Sequence, residues 1–246
     1  MRNSFTYAGR SSLEFGIYTN GRETFGSPAR SYETVQIPGR SGDLIYDNRR
    51  FENYDLKYVS SFIFQDFKTN VRDFRNFIAS KHTYQRLEDT YNPEEYRMAI
   101  FKEAFEPDVI DSHDFGQFDI VFHCKPQRFL KSGEVMTEYT ANSFTITNPT
   151  LFPAKPLIRV YGNGDLTIGG AVITIEGNAD QEEVDAGINY IDLDFETMNA
   201  YRGTASKNRN ISISTVDYPD LVPGVNNITK SSTLTKIEVT PRWYII

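Results

Sequence analysis

Short stretches of alternating apolar and polar residues, punctuated by glycine, proline and asparagine, run along most of the chain. That is the period-two signature of β-strands. Phe5–Tyr7 and Leu13–Ile17 read as short strands around Gly9, and Tyr32–Ile37 and Phe51–Phe64 as longer ones. In the last of these Tyr54, Leu56, Tyr58 and Phe62 share one face. The other face carries Asp55 and Lys57, then Val59 and Ile63, so the strand is expected to be solvated at its start and buried on both sides at its end. Only Gln65–Lys81 has convincing helical periodicity. Phe67, Val71, Phe74 and Ile78 recur at helical spacing, Phe77 widens the stripe, and Lys68, Arg72, Asp73 and Arg75 fill the opposite side. A helix packed on a sheet is expected there.

Tyr84–Glu88, Glu95–Ala104 and Phe115–Lys125 read as further strands, with a turn at Asn92-Pro93. Pro126 is expected to end the last of them, because proline cannot donate to a ladder. The polar stretch Lys131–Asn142 has few apolar anchors. It divides the chain into a domain over 1–132, a linker over 133–142 and a second domain over 143–246. The second half is a succession of short strands: Phe144–Thr147, Leu157–Tyr161, Leu166–Ile168, Val172–Glu176, Ile188–Phe195, Ile211–Ser214 and Thr235–Ile245. Such spacing without a helix predicts an antiparallel sandwich or jelly roll, with Asn163-Gly164 as a hairpin turn. The fold class is therefore mainly β in two domains. The first is a β-sandwich-like domain with one α-helix and a hairpin arm, the second a β-sandwich or jelly roll.

Composition supports ordered domains: 39% of the 246 residues are hydrophobic and 24% charged. Tyrosine and phenylalanine number 15 and 18 against one tryptophan, which suits packing on pleated sheets. Charge divides unevenly. Residues 1–132 carry 18 basic and 19 acidic groups, whereas residues 133–246 carry 8 and 14. The acidic second half disfavours nucleic-acid binding there; a basic stripe lining a pore stays open for the first half. Cys124, the only cysteine, lies in the apolar run FDIVFHC, so it is expected to be a buried thiol and no intrachain disulfide can form. No apolar run approaches the ~20 residues of a membrane span, and no membrane insertion is expected. The N-terminal MRNSFTYAG lacks an apolar signal core. The protein is expected to act where it is made or to leave by a route such as lysis.

The segment VQIPGRSGDLIYDNRRFENY, from Val35 to Tyr54, reads as a strand, a tight turn, an arm and a long return strand. Pro38 presets its own backbone and Gly39 accepts a positive φ. Gly42 and Asp43 punctuate the arm again. The stretch holds many polar groups and no nucleophile with a base, which favours an assembly arm over an active site. Arg40, Arg49 and Arg50 bracket it. They suit an acidic neighbouring subunit, a basic pore lining, or a solvated tip with Asp43 and Asp47 as local partners.

Three blocks, IPGRSGDLIYDNRRFENY (37–54), YQRLEDTYNPEEYRMAIF (84–101) and FGQFDIVFHCKPQRFL (115–130), together resemble the distal tail protein (Dit) family of long, non-contractile-tailed phages that infect Gram-positive bacteria. The likeness extends more weakly to the C-terminus. It implies a structural virion protein at the tail tip, made in the bacterial cytoplasm. A ring-forming N-terminal domain would assemble as a homo-hexamer, and a galectin-like C-terminal sandwich would face outward. The implied partners are the tail tube protein, the tail-associated protein and receptor-binding or baseplate proteins, with DNA only in transit through the lumen. On this reading Ile37, Pro38, Gly39, Arg40, Asp43, Leu44, Arg49 and Arg50 contribute to the ring interface.

Chemistry is sparse. His82, His113 and His123 are scattered, and there is no CxxC, HExxH, GxSxG or phosphate-loop pattern. No metal, cofactor or catalytic residue is expected, and the protein is read as a non-enzyme. Asp192, Asp194 and Glu196 alternate along one strand, with Tyr190 on the same face and Ile191, Leu193 and Phe195 on the other. The row is expected to be the solvated side of a half-buried strand; a calcium-binding or glycosidase face is the sharper reading. The runner-up function is a carbohydrate-binding module using Tyr190, Tyr201, Tyr218 or Trp243. The galectin signature joins His, Asn and Arg around a stacking Trp. The second half has no histidine, and its one tryptophan sits in the final strand, which departs from that signature.

Overall fold

The computed structural model describes residues 3–20, 24–63, 67–110, 115–177 and 189–246. Phe64, Gln65, His113 and Ile188 lie outside these ranges, as do the side chains of Ile63 and Phe67. The chain forms two compact units, Met1–Arg128 (with Ile246 grouped to it) and Phe129–Ile245.

In the first unit the strands are β1 (Phe5–Tyr7), β2 (Arg10–Ser11), β3 (Ile17–Asn20), β4 (Arg30–Val35), β5 (Leu44–Phe51), β6 (Tyr54–Ile63), β7 (Gln85–Asp89), β8 (Glu95–Phe101), β9 (Asp108–Ile110) and β10 (Phe115–Leu130). One helix, α1 (Phe67–Ala79), follows β6. The main sheet runs β2-β1-β7-β8-β10-β6-β3, with β9 on β10, while β4 and β5 form a separate two-stranded sheet. Strands β6 and β10 pair antiparallel from Ile63↔Phe115 to Tyr54↔Cys124. Their inward residues Leu56, Tyr58, Phe62, Ile120, Phe122 and Cys124 are buried with Phe74 and Ile78 of α1, as the two periodicities require. Burial pushes the Cys124 thiol up to about 12, which keeps it protonated.

An aromatic cluster fills this core. Phe122 lies 4.8 Å from Tyr7 and 5.4 Å from Phe5, centroid to centroid. Next to it sits an ion pair without solvent access. Arg97 Nη1 donates to Asp89 at 3.1 Å, and their side chains are 1% and 0% exposed. Asp89 also accepts from Tyr58 Oη at 2.8 Å, while Arg97 donates to Tyr54 Oη and to the Thr24 carbonyl, both at 2.9 Å. The pair is thus hydrogen-bonded on every side, the condition under which a buried charge is tolerated.

The second unit contains β11 (Thr137–Tyr139), β12 (Ser143–Asn148), β13 (Leu157–Gly162), β14 (Gly164–Ile168), β15 (Ala171–Ile175), β16 (Tyr190–Asp194), β17 (Asn199–Arg202), β18 (Ala205–Ser206), β19 (Ile211–Ile213), β20 (Gly224–Lys230), β21 (Leu234–Thr240) and β22 (Tyr244–Ile245). A six-stranded sheet, β11-β21-β13-β16-β17-β18, and a five-stranded sheet, β12-β20-β14-β15-β19, enclose a core of Ile, Leu and Val with Phe195 and Trp243. The mainly β fold with a single described helix and a C-terminal sandwich agrees with the sequence pattern.

Several local expectations are corrected. Leu13–Ile17 is not one strand, because Ser12–Phe15 is a 3-10 turn closed by a capping box. Ser11 Oγ accepts from Leu13 N, and Glu14 Oε1 accepts from Ser11 N at 2.9 Å. The strand read over Phe51–Phe64 is interrupted at Glu52-Asn53, and that over Thr235–Ile245 at Pro241–Trp243. Pro126 does not end β10. It lies beyond the last β6 partner, Cys124, so its missing N–H removes no bond to β6. The segment 133–142 is not a linker. Thr137–Tyr139 pairs with β21, and Gly133 is buried against Trp243, where an added Cβ would stand 2.3 Å from the Trp243 nitrogen. Asn163-Gly164 is not a hairpin turn either. It carries the chain from β13 in one sheet to β14 in the other, a corner that Gly162 and Gly164 turn with φ of 96° and 140°.

Candidate functional site: an exposed hairpin arm

The arm is built as its residues demand. Ile37-Pro38-Gly39-Arg40 closes with Arg40 N donating to Ile37 O at 3.1 Å, and Gly39 takes φ 79°. This is the type II pattern, with proline first and a positive-φ glycine second. Gly42, at φ 86°, redirects the chain into β5. Val35 then faces Leu44, Thr34 faces Ile45, Glu33 faces Tyr46 and Tyr32 faces Asp47.

The ladder then slips. Ser31 faces Arg50, so Asn48 and Arg49 bulge out of β5. Arg49 sits at φ 56°, held by its N–H donating to Asp47 Oδ1 at 2.8 Å. A non-glycine residue in that region costs about 1–2 kcal/mol, and a bulge increases local twist. Asp47 is also held from across the ladder, where Arg30 Nε donates to both of its oxygens at 3.1 Å. The Arg30 hydrogen bond and the Arg49 N–H hold the Asp47 carboxyl below its usual range. Arg50 pairs with Glu52 at 2.5 Å. The side chains of Arg40 and Asp43 have no ion-pair partner among the described residues.

Every residue from Tyr32 to Arg50 is exposed. Facing pairs in an antiparallel ladder share a face, which puts Val35, Leu44 and Tyr46 on one side and Tyr32 and Ile45 on the other. Ile45 and Tyr46 are each 65% exposed. The arm therefore presents apolar side chains on both faces, and an isolated two-stranded hairpin is marginal in water. Exposed apolar surface of this kind makes the arm the candidate interaction surface. The structure brings all eight residues named from sequence, Ile37 to Arg50, onto this one element. Tyr32, Ile45 and Tyr46 are exposed on the same arm and were not singled out by sequence, although Ile45 and Tyr46 fall within the Ile37–Arg50 span; the signal available was a hairpin without a polar face.

The aromatic candidates do not converge. Trp243 is 6% exposed and belongs to the sandwich core, so it offers no stacking face. Tyr218 packs on Phe195 at 4.8 Å, at the core margin. Tyr190 and Tyr201 do share the outer face of the six-stranded sheet, but Arg159 lies over the Tyr190 ring at 4.1 Å.

Asp192 and Asp194 are not solvated, as expected from alternation, but buried at 6% and 8%. Arg159 donates to both oxygens of Asp192 at 2.7 and 2.9 Å, and Arg242 donates to Asp194 at 2.7 Å. These arginines cover the two aspartates, while Glu196, the third member of the row, is exposed as expected. Burial pushes the Asp194 carboxyl up. The Arg242 hydrogen bond and charge, with the backbone N–H groups of Glu196 and Thr197, outweigh that and hold it below its ordinary value. A glycosidase acid needs the opposite shift. Because the folded value is depressed, this stabilisation is full above the ordinary carboxylate range and is lost as pH falls through the folded value. Arg242→Gln is expected to move the acid unfolding transition to higher pH. An unchanged midpoint in a circular-dichroism titration would refute the assignment.

No protein-family model matches the chain, and no curated protein matches its sequence. Solved structures do match. The crystal structure of the SPP1 Dit protein, described as a paradigm of the hub adsorption apparatus of phages infecting Gram-positive bacteria, aligns with a TM-score of 0.72 at 14% identity, covering 100% of both chains. A chain of the phage P2 baseplate in its activated conformation aligns at a TM-score of 0.55 and 10% identity, covering 97% of each. Over its whole length the chain has the fold of the phage Dit hub protein.

Proposed function

We propose that this chain is a structural hub of a phage tail tip, assembling as a homo-hexameric ring through its hairpin arm. It joins the tail tube protein to the tail-associated protein and to receptor-binding or baseplate proteins, and its lumen passes DNA. It works by binding, not by catalysis. The observation that carries this reading is the detached β4–β5 arm with apolar side chains on both faces. A closed ring uses heterologous contacts, in which one surface meets a different surface of the next subunit. An arm whose faces are both uncovered suits insertion against a neighbour, and its strand edges can extend a neighbour's sheet.

Magnitudes agree. Fully burying Tyr32, Val35, Leu44, Ile45 and Tyr46 is worth at most about 10 kcal/mol in total. Association costs about 4–15 kcal/mol. The arm is then a principal contributor without sufficing alone. Arg40 and Asp43 supply charges of both signs at the tip for partners on the neighbour.

The test is the mass of the purified full-length protein by light scattering, beside a variant in which Gln36–Asp43 is replaced by Asn-Gly. Wild type is expected near six times the 28.2 kDa chain mass, and the variant at the mass of one chain. A six-fold mass that survives loss of the tip rules out the arm as the ring contact.

A further inference from the structure

The arm joins the first unit through two connections that are held differently. On one side β5 ends at Phe51 and β6 begins at Tyr54, and Glu52 N, between them, donates to Ala29 O at 2.8 Å. On the other side residues 24–29 run into β4 as a strap that is neither strand nor helix. Thr24 and Pro28 are buried, while Phe25, Gly26 and Ser27 between them are exposed. Two carbonyls of this strap are gripped by arginines from neighbouring strands of the main sheet. Arg97 of β8 donates to Thr24 O at 2.9 Å, and Nη2 of Arg128, on β10, donates to Gly26 O.

The two grips are not equivalent. Arg97 also donates to Asp89 and Tyr54, so its hold on Thr24 belongs to a complete network. Arg128 is buried, with 9% of its side chain exposed, and its Nη1 stops 3.8 Å from Glu95 Oε2, beyond hydrogen-bond reach. Arg128 Nε and Glu95 Oε2 are both buried, and neither has a hydrogen-bond partner among the described residues. Unmade bonds of this kind are costly, those of charged groups most of all. A guanidinium and a carboxylate fit one another through two parallel bonds. Glu95 lies on β8, next to the strand of Arg128, yet that contact stays open while the Arg128 fork is engaged on the strap.

We propose that Arg128 is a two-position latch for the arm. In the position seen here it holds Gly26 O and fixes the strap. In the other it closes on Glu95, which gives Arg128 Nε and Glu95 Oε2 the partners they lack, and lets Gly26 go. The released carbonyl is not stranded, because Gly26 is exposed and water can serve it. Each position satisfies what the other leaves unmade, the condition for two states of similar free energy. Thr24 stays fixed by Arg97 in both, so the slack is confined to the residues that lead into β4.

Position in the chain gives the latch its leverage. Gly26 stands shortly before Arg30, the first residue of β4, and the tip at Gly39 lies a full strand beyond. A small change at the strap becomes a larger displacement at the tip. A held arm meets its partner already oriented; a released arm bears the cost of ordering when it docks. Glu95 and Arg128 are positioning residues on this account, acting through the strap. The latch lies within the first unit and stands whether or not the arm's partner is a second copy of the chain.

The test is the distance distribution between two spin labels in the full-length protein, one at the arm tip through Ser41→Cys and one on the exposed face of α1 through Arg75→Cys. Cys124 is buried and stays protonated, so both labels go to the introduced thiols. Ile45→Lys with Tyr46→Lys removes the arm's most exposed apolar side chains and keeps it undocked. Dilution with unlabelled chain of the same sequence leaves only distances within one chain. This parent is expected to show a narrow population and a broad one. Arg128→Met is expected to leave only the broad population. Glu95→Gln, which takes away the competing carboxylate, is expected to leave only the narrow one. So is Arg128→Lys, which keeps a donor for Gly26 O but cannot make the forked contact. A merely structural role would broaden the distribution in all three. Broadening in Glu95→Gln or Arg128→Lys overturns the proposal, as does an unchanged distribution in Arg128→Met or a parent with a single population. Arg128→Lys keeps the test decisive if Arg128→Met fails to fold. The ring is read from the mass of the chain with its arm intact, so the two readings fail separately.

Discussion

Arg97→Met is expected to destabilise the first unit by about 3–5 kcal/mol. The substitution keeps most of the side-chain volume but leaves Asp89 without its counter-ion, with its side chain fully out of solvent. Asp89 retains donors in Tyr58 Oη and the backbone N–H groups of Tyr91 and Asn92, at 2.8, 3.0 and 2.8 Å. Those bonds satisfy its oxygens but do not replace the cationic partner. The variant also removes the hydrogen bonds that the Tyr54 hydroxyl and the Thr24 carbonyl accept from Arg97. Urea unfolding followed by circular dichroism checks this, with Trp243 fluorescence reporting the second unit, since the only tryptophan lies in that unit's core. A first-unit loss below about 1 kcal/mol would show that the pair is not the stake of this core.

Phe122→Ala is expected to cost about 3–5 kcal/mol in the same unit. Its ring is fully buried in β10 and meets Phe5, Tyr7, Tyr58 and Phe101. The neighbours come from three other strands of one sheet, so the void cannot close by moving one of them. Tyr58 touches both Phe122 and Asp89. The two substitutions are therefore expected to be non-additive, with an interaction term of about 0.5–3 kcal/mol. Strict additivity would mean that the aromatic cluster and the ion pair are mechanically separate. Either variant should weaken any assembly that needs the first unit as a rigid base for the arm.

The sequence was legible where side-chain chemistry alone decides conformation. Period-two burial in Tyr54–Phe62, the helical stripe of α1, the Pro38-Gly39 turn and the buried Cys124 all follow from local pattern. The candidate interface was legible for a related reason: turn residues announce a hairpin whatever surrounds it. Its most exposed apolar members, Ile45 and Tyr46, were not, because exposure depends on whether another layer covers the strand. Strand β20 escaped because its inward positions are Asn226, Ile228 and Lys230, the reverse of an ordinary buried face. Asn226 turns inward to bind backbone carbonyls, and Lys230 Nζ donates to Leu234 O at 2.6 Å.

By itself, then, the order of residues determined strand content, the helix, the arm and a two-part β architecture, since these rest on alternation and on the dihedral limits of proline and glycine. Tertiary structure alone decided which strands share a sheet. It showed that Gly162 and Gly164 turn a corner between sheets, that Thr137–Tyr139 is a strand of the second unit, and that Asp192 and Asp194 lie beneath Arg159 and Arg242. Each of these depends on partners distant in the chain, and pairing across such distances is set by packing and charge neutralisation in space rather than by the residues on either side.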